Sequence, residues 1–163
     1  MVESESVGFG KHAVAEGDLV LAHWVGRQSA TGTAFDSTRG GAPVRTNGVN
    51  NVSITAAASV PRVVNLRAGD VQPGVCPGLR LALLGMRVGG KRTVSFGPEL
   101  GFGASAVAAP LGTVPGGSAL TYEIELLRVS TTGPDELFKG ISQCGVGGAG
   151  AQSAGCADIV AAE

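Results

Sequence analysis

The chain has 163 residues and a formal net charge of −1, which suits one globular domain with some additional chain. The near-neutral charge gives no reason to expect a nucleic acid or an anionic membrane as the partner. No stretch approaches the roughly 18 consecutive apolar residues of a transmembrane helix, so we expect no membrane span.

The N-terminal part of the chain begins with a polar, glycine-containing lead at residues 1–17. The lead lacks the basic and apolar regions of a signal peptide, so the protein is either cytosolic or a mature form whose targeting segment has been removed. Residues 18–27 (DLVLAHWVGR) alternate between two faces and predict a strand, and extended structure returns at residues 35–37. Residues 38–60 show no sustained period and predict a long loop or insertion.

One segment carries a helix signal. After a short predicted strand at 62–66, apolar residues recur at i, i+3, i+4 and i+7, which is typical of an amphipathic helix: Leu79, Ala82, Leu83 and Met86. Pro77 stands near the first turn, where its missing N–H costs little. Gly85 and then residues 89–90, both glycine, predict the end of the helix.

Two further strands follow the helix. Residues 91–97 place Val94 and Phe96 on one face, and residues 118–130 show the clearest alternation in the chain. A second long loop is predicted between them at 98–117. Strands in this order, with one short helix between them, predict an α+β domain in which an antiparallel sheet packs against the helix.

The C-terminal residues 131–163 read as a Gly/Ala-rich tail. Leu137, Phe138 and Ile141 form a short apolar patch at helical spacing, which we expect to dock on the domain or on a partner. The chain has three cysteines. No CxxC pair is present and neither histidine stands at metal-ligand spacing from a cysteine, so we expect no metal site.

Taken in order, these motifs resemble the FKBP-type peptidyl-prolyl cis-trans isomerases. The resemblance runs from Asp18 to Val129, is interrupted by residues 38–60, and is carried by LAHWVGR, TAFDS, DVQPGVCPGLRLALLGMRVGGKRTVSFGPELGFG and VPGGSALTYEIELLRV. It implies a bent antiparallel sheet wrapped around one short helix. It also implies a proline-binding pocket walled in part by residues 88–103 (VGGKRTVSFGPELGFG), in which a strand runs into a loop that carries an aromatic side chain.

Such a site needs no cofactor. The barrier to rotation about an X–Pro amide, roughly 18–20 kcal/mol, comes from amide resonance. A dry, aromatic-lined cavity that favours the twisted, less polar amide over the planar one lowers that barrier without a nucleophile or a metal. The resemblance therefore implies proline-containing protein segments as partners.

The family's site residues carry over only in part. The resemblance implies catalytic roles for Phe35, Asp36 and Phe102, and it implies substrate-binding roles for a second set: Trp24, Arg62, Val71, Gln72, Val75, Leu111, Val114 and Tyr122.

Several of these residues depart from the family pattern. Val75 replaces the tryptophan that normally floors the pocket, and Arg62 stands where an aromatic wall residue is common. Gln72 replaces an isoleucine, and Phe102 replaces a tyrosine and lacks its hydroxyl. Loss of an indole leaves a wider, less complementary floor. The departures indicate an eroded pocket.

Other interpretations of the retained residues stay open. Asp36 can serve simply as a hydrogen-bond partner of Trp24 or Arg62, and Phe35, Phe102 and Tyr122 can be ordinary core residues. Cys76, near the helix start, is expected to be a lone core thiol.

The resemblance is greatest to plant and algal members from the thylakoid lumen, which predicts a mature form in that compartment or in another oxidising compartment. We expect Cys144 and Cys156 to be joined by a disulfide, which requires oxidising conditions; the alternative is that the two are unpaired. Two functions follow. One is a weak isomerase that assists folding or assembly of lumenal proteins. The other is a non-catalytic assembly subunit of a photosynthetic membrane complex.

Overall fold

The computed structural model describes residues 1–39, 43–45, 53–55, 60–139 and 159–163. Strands dominate these ranges. In chain order they are β1 (Val2–Ser6), β2 (Leu19–Gln28), β3 (Ala34–Ser37), β4 (Pro43–Arg45), β5 (Ser53–Thr55), β6 (Arg62–Asn65), β7 (Lys91–Phe96), β8 (Val107–Ala109), β9 (Gly112–Val114) and β10 (Leu120–Ser130). The helices are α1 (Pro77–Leu83) and α2 (Pro134–Leu137).

A six-stranded antiparallel sheet organises the domain, in the order β1-β7-β10-β2-β3 with β6 also paired to β2. One edge of β2 is therefore shared: its first half pairs with β6 and its second half with β3. Helix α1 packs against β7 and β10. The antiparallel sheet with a short helix packed on it confirms the predicted α+β class.

The helix begins at Pro77, as the sequence predicts, but it ends at Leu83, so Met86 lies beyond it. The chain leaves the helical conformation at Leu84, whose backbone is extended, and turns further at Gly85, which has a positive φ of 82°. Arg92 of β7 then donates hydrogen bonds to the carbonyls of Ala82 and Leu84, at 2.7 and 2.9 Å. A cation at this end of a helix satisfies carbonyls that have no partner within the helix.

The main core lies between the sheet and α1. The predicted alternation of β10 is confirmed, because its inward-facing residues are all buried: Leu120, Tyr122, Ile124 and Leu126. On the other face, α2 packs against β2 and β10. Leu137 is buried there, outside the main core cluster, together with Leu21 and Leu127.

The tail is thus attached to the domain at the points the structure describes. Leu137 of the predicted apolar patch is buried and Phe138 is half-buried, whereas Ile141 lies outside the described residues. At the end of the chain, the amide of Ala162 donates to the carbonyl of Leu127 at 3.1 Å, and Ala161 packs against the core.

Strands are present in three segments for which the sequence predicts none. The lead supplies β1, an edge strand paired with β7. The sequence VESES gives no apolar alternation because all five side chains of β1 are exposed. The 38–60 insertion includes the paired strands β4 and β5, and the 98–117 loop includes the hairpin β8–β9, whose strands of three residues are too short to show a period.

The insertion leaves the sheet at a closed stem. The amide of Val60 donates to the carbonyl of Thr38 at 2.9 Å, and the amide of Thr38 donates to the carbonyl of Trp24 at 3.0 Å. The Thr38 hydroxyl accepts from the Trp24 amide at 2.9 Å and lies 2.7 Å from Nδ1 of His23. The insertion therefore emerges between β3 and β6, opposite the middle of β2.

Candidate functional site

Four aromatic rings meet above the sheet. Phe35 contacts Phe102 edge-on, with ring centroids 5.8 Å apart, and contacts Tyr122 edge-on at 5.7 Å. Tyr122 also stacks on Phe96 at 5.8 Å. Edge-to-face and stacked geometries are those that aromatic quadrupoles favour. We call Phe35, Phe96, Phe102 and Tyr122 the aromatic cluster. It unites three site residues named in the sequence analysis with Phe96, which the sequence places only on one face of a predicted strand.

Gly26 makes this cluster possible. It pairs with Asp36 on β3 and with Tyr122 on β10. A Cβ atom at this position would lie 2.8 Å from Cζ of Phe35 and 2.9 Å from Cε1 of Tyr122, closer than packed atoms tolerate. Sequence reasoning missed this residue, because a glycine inside a strand signals close approach of another group without naming that group.

Asp36 lies beside the cluster as a paired carboxylate. Its residue is 5% exposed, and its Oδ2 accepts a hydrogen bond of 3.0 Å from Nε1 of Trp24. Nη1 of Arg62 lies 3.9 Å from the same oxygen. Both partners that the sequence offered for Asp36 are therefore present, as expected for a carboxylate that is almost fully buried.

Arg62 covers the indole. Its Cζ lies 5.2 Å from the ring centroid of Trp24, in cation–π geometry, and Nη2 donates to the carbonyl of Pro73 at 3.3 Å. Trp24 is 1% exposed, whereas the Arg62 side chain is 39% exposed. The guanidinium therefore presents a positive charge to solvent next to Asp36.

The turn at residues 70–75 places its side chains differently from the sequence expectation. Gln72 turns to β6, where Oε1 accepts from the Asn65 amide at 2.7 Å and Nε2 donates to the carbonyl of Val63 at 3.2 Å. Val71, 89% exposed, and Val75 line a separate groove of about 390 Å³ against α1, and none of the aromatic cluster lines that groove.

The β8–β9 hairpin closes the other side of Phe35. The amide of Leu111 donates to the carbonyl of Phe35 at 2.9 Å, and Val114 is buried in the same core cluster as Phe35. The structure thus places both hairpin residues near Phe35, and their substrate-binding role stays a prediction.

The base of the cluster is uncharged. Sγ of Cys76 donates to the Tyr122 hydroxyl at 3.7 Å. Burial raises the pKa of the Cys76 thiol, and burial, with Cys76 and Asp36 nearby, raises the pKa of Tyr122. Both groups stay protonated at neutral pH, so Cys76 is a buried core thiol here. Cys144 and Cys156 lie outside the described residues.

The arrangement is suited to binding an apolar group rather than to covalent chemistry. It presents the half-buried Phe102 over three buried rings, beside one paired carboxylate and one partly exposed cation. Within the ranges that the structure covers, no three His, Cys, Asp or Glu side chains are grouped to hold a metal. In those same ranges, neither helix has the length and apolar character that crossing a bilayer demands.

Comparison with known proteins identifies the class. The profile of the FKBP-type peptidyl-prolyl cis-trans isomerase family matches residues 10–127. The chain belongs to this family, which confirms the resemblance in the sequence.

Individual relatives and a solved structure agree with this family assignment. FK506-binding protein 2 of Aspergillus fumigatus is 33% identical over 144 residues, covering 84% of this chain and 89% of the relative. Peptidyl-prolyl cis-trans isomerase FKBP15-3 of Arabidopsis thaliana is 33% identical over 113 residues, covering 69% of this chain and 61% of the relative. The crystal structure of FkpA from Escherichia coli superposes with a TM-score of 0.53 at 26% identity, and the match spans 77% of this chain and 45% of FkpA.

Proposed function

We propose that this chain is a peptidyl-prolyl cis-trans isomerase of low activity that binds proline-containing segments of other proteins and assists their folding or assembly. The observation that carries the proposal is the aromatic cluster, in which Phe35 meets both Phe102 and Tyr122 edge-on next to the paired carboxylate of Asp36. Family membership supports the reaction type.

The chemistry follows from the environment of the cluster. A planar X–Pro amide is stabilised by charge separation that water solvates well, and the twisted amide loses that separation. Aromatic walls that exclude water therefore raise the free energy of the planar amide relative to that of the twisted amide. A turn held in the site aligns the bond for rotation. No bond is broken, so the paired Asp36 and the protonated Tyr122 suffice as the polar groups.

The low activity follows from the departures from the family pattern. Val75 leaves the floor without an indole and lines a different groove. Phe102 lacks a hydroxyl, and Arg62 replaces an aromatic wall with a charge. The second candidate, a non-catalytic binding subunit, is favoured by one observation: the Arg62 guanidinium already covers the Trp24 ring.

The compartment forms part of the proposal. The Cys144–Cys156 pair and the resemblance to lumenal family members support an oxidising compartment, the thylakoid lumen first, with subunits of a photosynthetic complex as partners. The relative from Arabidopsis thaliana supports a similarity to plant members of the family. That support is partial, because fungal and bacterial relatives have similar sequence identity to this chain.

The test measures cis-to-trans conversion of a proline peptide, with and without the chain. We expect acceleration that Asp36→Ala and Phe102→Ala each reduce, about threefold to tenfold for Phe102→Ala because one edge-to-face contact is worth roughly 0.5–1.5 kcal/mol beyond its buried area. Phe9→Ala is the matched control, since Phe9 is 62% exposed and outside the core cluster. A rate equal to the spontaneous one, with peptide binding retained, would establish the non-catalytic alternative.

A further inference from the structure

The Arg62 guanidinium is a partly exposed cation that lies beside the candidate site, next to Asp36 and over the Trp24 ring. We propose that Arg62 is a specificity-determining residue that favours segments with a carboxylate side chain, Asp or Glu, directly next to the proline. The inference rests on the proposed binding of proline segments, and it does not require that the bound proline be isomerised.

The position of the guanidinium is fixed before any ligand arrives. It lies over the Trp24 ring at 5.2 Å and is tied to the Pro73 carbonyl at 3.3 Å. A guanidinium has five N–H donors. One of them is used by Pro73, and the 3.9 Å separation from Oδ2 of Asp36 is too long for a normal hydrogen bond. Among the described residues, donors of Arg62 therefore remain for a ligand.

Asp36 does not fill this role itself. Its Oδ2 already accepts the hydrogen bond of Trp24, and the residue is buried, whereas the Arg62 side chain is 39% exposed. The buried carboxylate holds the indole, and the outward edge of the guanidinium faces solvent. A ligand carboxylate can approach that edge and receive two parallel N–H donors, which is the geometry that arginine offers to carboxylates.

Other arginines near α1 are not available in this way. Arg80 donates to the carbonyls of Asn65 and Arg67, and Arg92 donates to two carbonyls at the end of α1 and to Glu5. Arg62 combines partial exposure with a position beside Asp36 and the indole.

The test compares two peptides that differ in one isosteric residue, Glu-Pro and Gln-Pro, by isothermal titration calorimetry. We expect the Glu-Pro peptide to bind about threefold to tenfold more tightly, the range for a partly exposed charge-assisted contact. The preference should shrink as salt is added, because screening weakens the charge interaction. The salt series uses the unmodified chain and so does not depend on a variant that folds.

Arg62→Gln should remove the preference, and Arg62→Lys should keep part of it. Arg27→Gln is the matched control, because the Arg27 side chain is 41% exposed and neutralising it changes the net charge by the same amount. Equal affinities for the two peptides, a preference that survives Arg62→Gln, or binding of neither peptide would overturn the inference. Preferential binding without any catalysed isomerisation would instead overturn the proposed activity and leave the role of Arg62 standing.

Discussion

The indole nitrogen of Trp24 donates a hydrogen bond of 3.0 Å to Oδ2 of Asp36, which joins β2 to β3 beside the aromatic cluster. Because both residues are almost fully buried, this bond satisfies a carboxylate that water barely reaches. The pair is therefore structural as well as part of the candidate site.

Trp24→Phe tests this pairing. The variant keeps an aromatic ring but removes the N–H, and we expect a loss of about 1–3 kcal/mol in the free energy of unfolding, since a buried acceptor is left without its donor. Urea denaturation measures the loss. In the Asp36→Asn background the same substitution should cost less, because the acceptor is no longer charged. Equal losses in the two backgrounds would show that the bond is not what Trp24 contributes.

Gly26→Ala tests the close approach of the rings. The added methyl would meet Phe35 and Tyr122 at under 3 Å, so we expect the free energy of unfolding to fall by roughly 1–3 kcal/mol and peptide affinity to fall with it. Phe35→Leu in the same chain should relieve the overlap, making the double variant less destabilised than the sum of the single ones. Additive losses would mean that the ring is not what Gly26 accommodates.

His23 gives the protein an acid-sensitive element. Burial, with Arg39 nearby and Glu125 opposing, lowers the pKa of His23 to about 4, against about 6.5 in an unfolded chain. Between these values the unfolded state binds a proton that the folded state does not, so stability should fall as the pH drops from about 6.5 towards 4, by on the order of 2 kcal/mol.

Chemical denaturation across this pH range measures the effect. His23→Asn keeps a polar group near the Thr38 hydroxyl but cannot take up the proton, so its stability should change less over the same interval. Parallel curves for the two proteins would assign the acid sensitivity to other groups.

The insertion should be separable from the sheet. Deleting residues 42–58 leaves the stem, in which Val60 donates to the carbonyl of Thr38, so we expect the melting temperature to change little. Thr38→Val is the contrasting variant. It removes the hydroxyl that accepts from the Trp24 amide and should cost about 1–3 kcal/mol. If the deletion unfolded the protein and Thr38→Val left its stability unchanged, the insertion rather than the stem would be the part that stabilises the fold.

The cysteine pair of the tail gives a prediction about the compartment. In an oxidising compartment Cys144 and Cys156 should be joined, and non-reducing mass spectrometry of the native protein should recover a linked peptide pair. Cys76, which is buried, should stay free and serve as the internal control. Free, alkylatable thiols at both tail positions would remove the argument for such a compartment.

The fold could be predicted where side chains alternate between core and solvent. β10 shows this alternation, and α1 shows the corresponding apolar face of a helix. β2 alternates in residue type but is buried on both faces from Val20 to Trp24. β1 is exposed along its whole length, so its pairing with β7 depends on backbone hydrogen bonds that leave no apolar signature. The hairpin β8–β9 is too short to show one.

The site was predictable as a set of aromatic residues but not as a geometry. The sequence places Phe35, Phe102 and Tyr122 together through the family resemblance. It could not show that Gln72 bonds to the backbone of β6, or that Val71 points to solvent, because both depend on how the turn at 70–75 is rotated. Gly26 was missed for the same reason: its role is defined by the rings across the sheet.

The shared edge of β2 has a consequence for how the site opens. Trp24 and Gly26 lie on a strand that is paired along both edges, to β10 on one side and to β3 and β6 on the other, so their amides should be among the last to exchange with solvent deuterium. Phe102 lies instead in a loop held by short turns and by single backbone hydrogen bonds from Gly78 and Gly117. We therefore expect a visiting peptide to enter by displacing the Phe102 loop, while the wall formed by the sheet stays still.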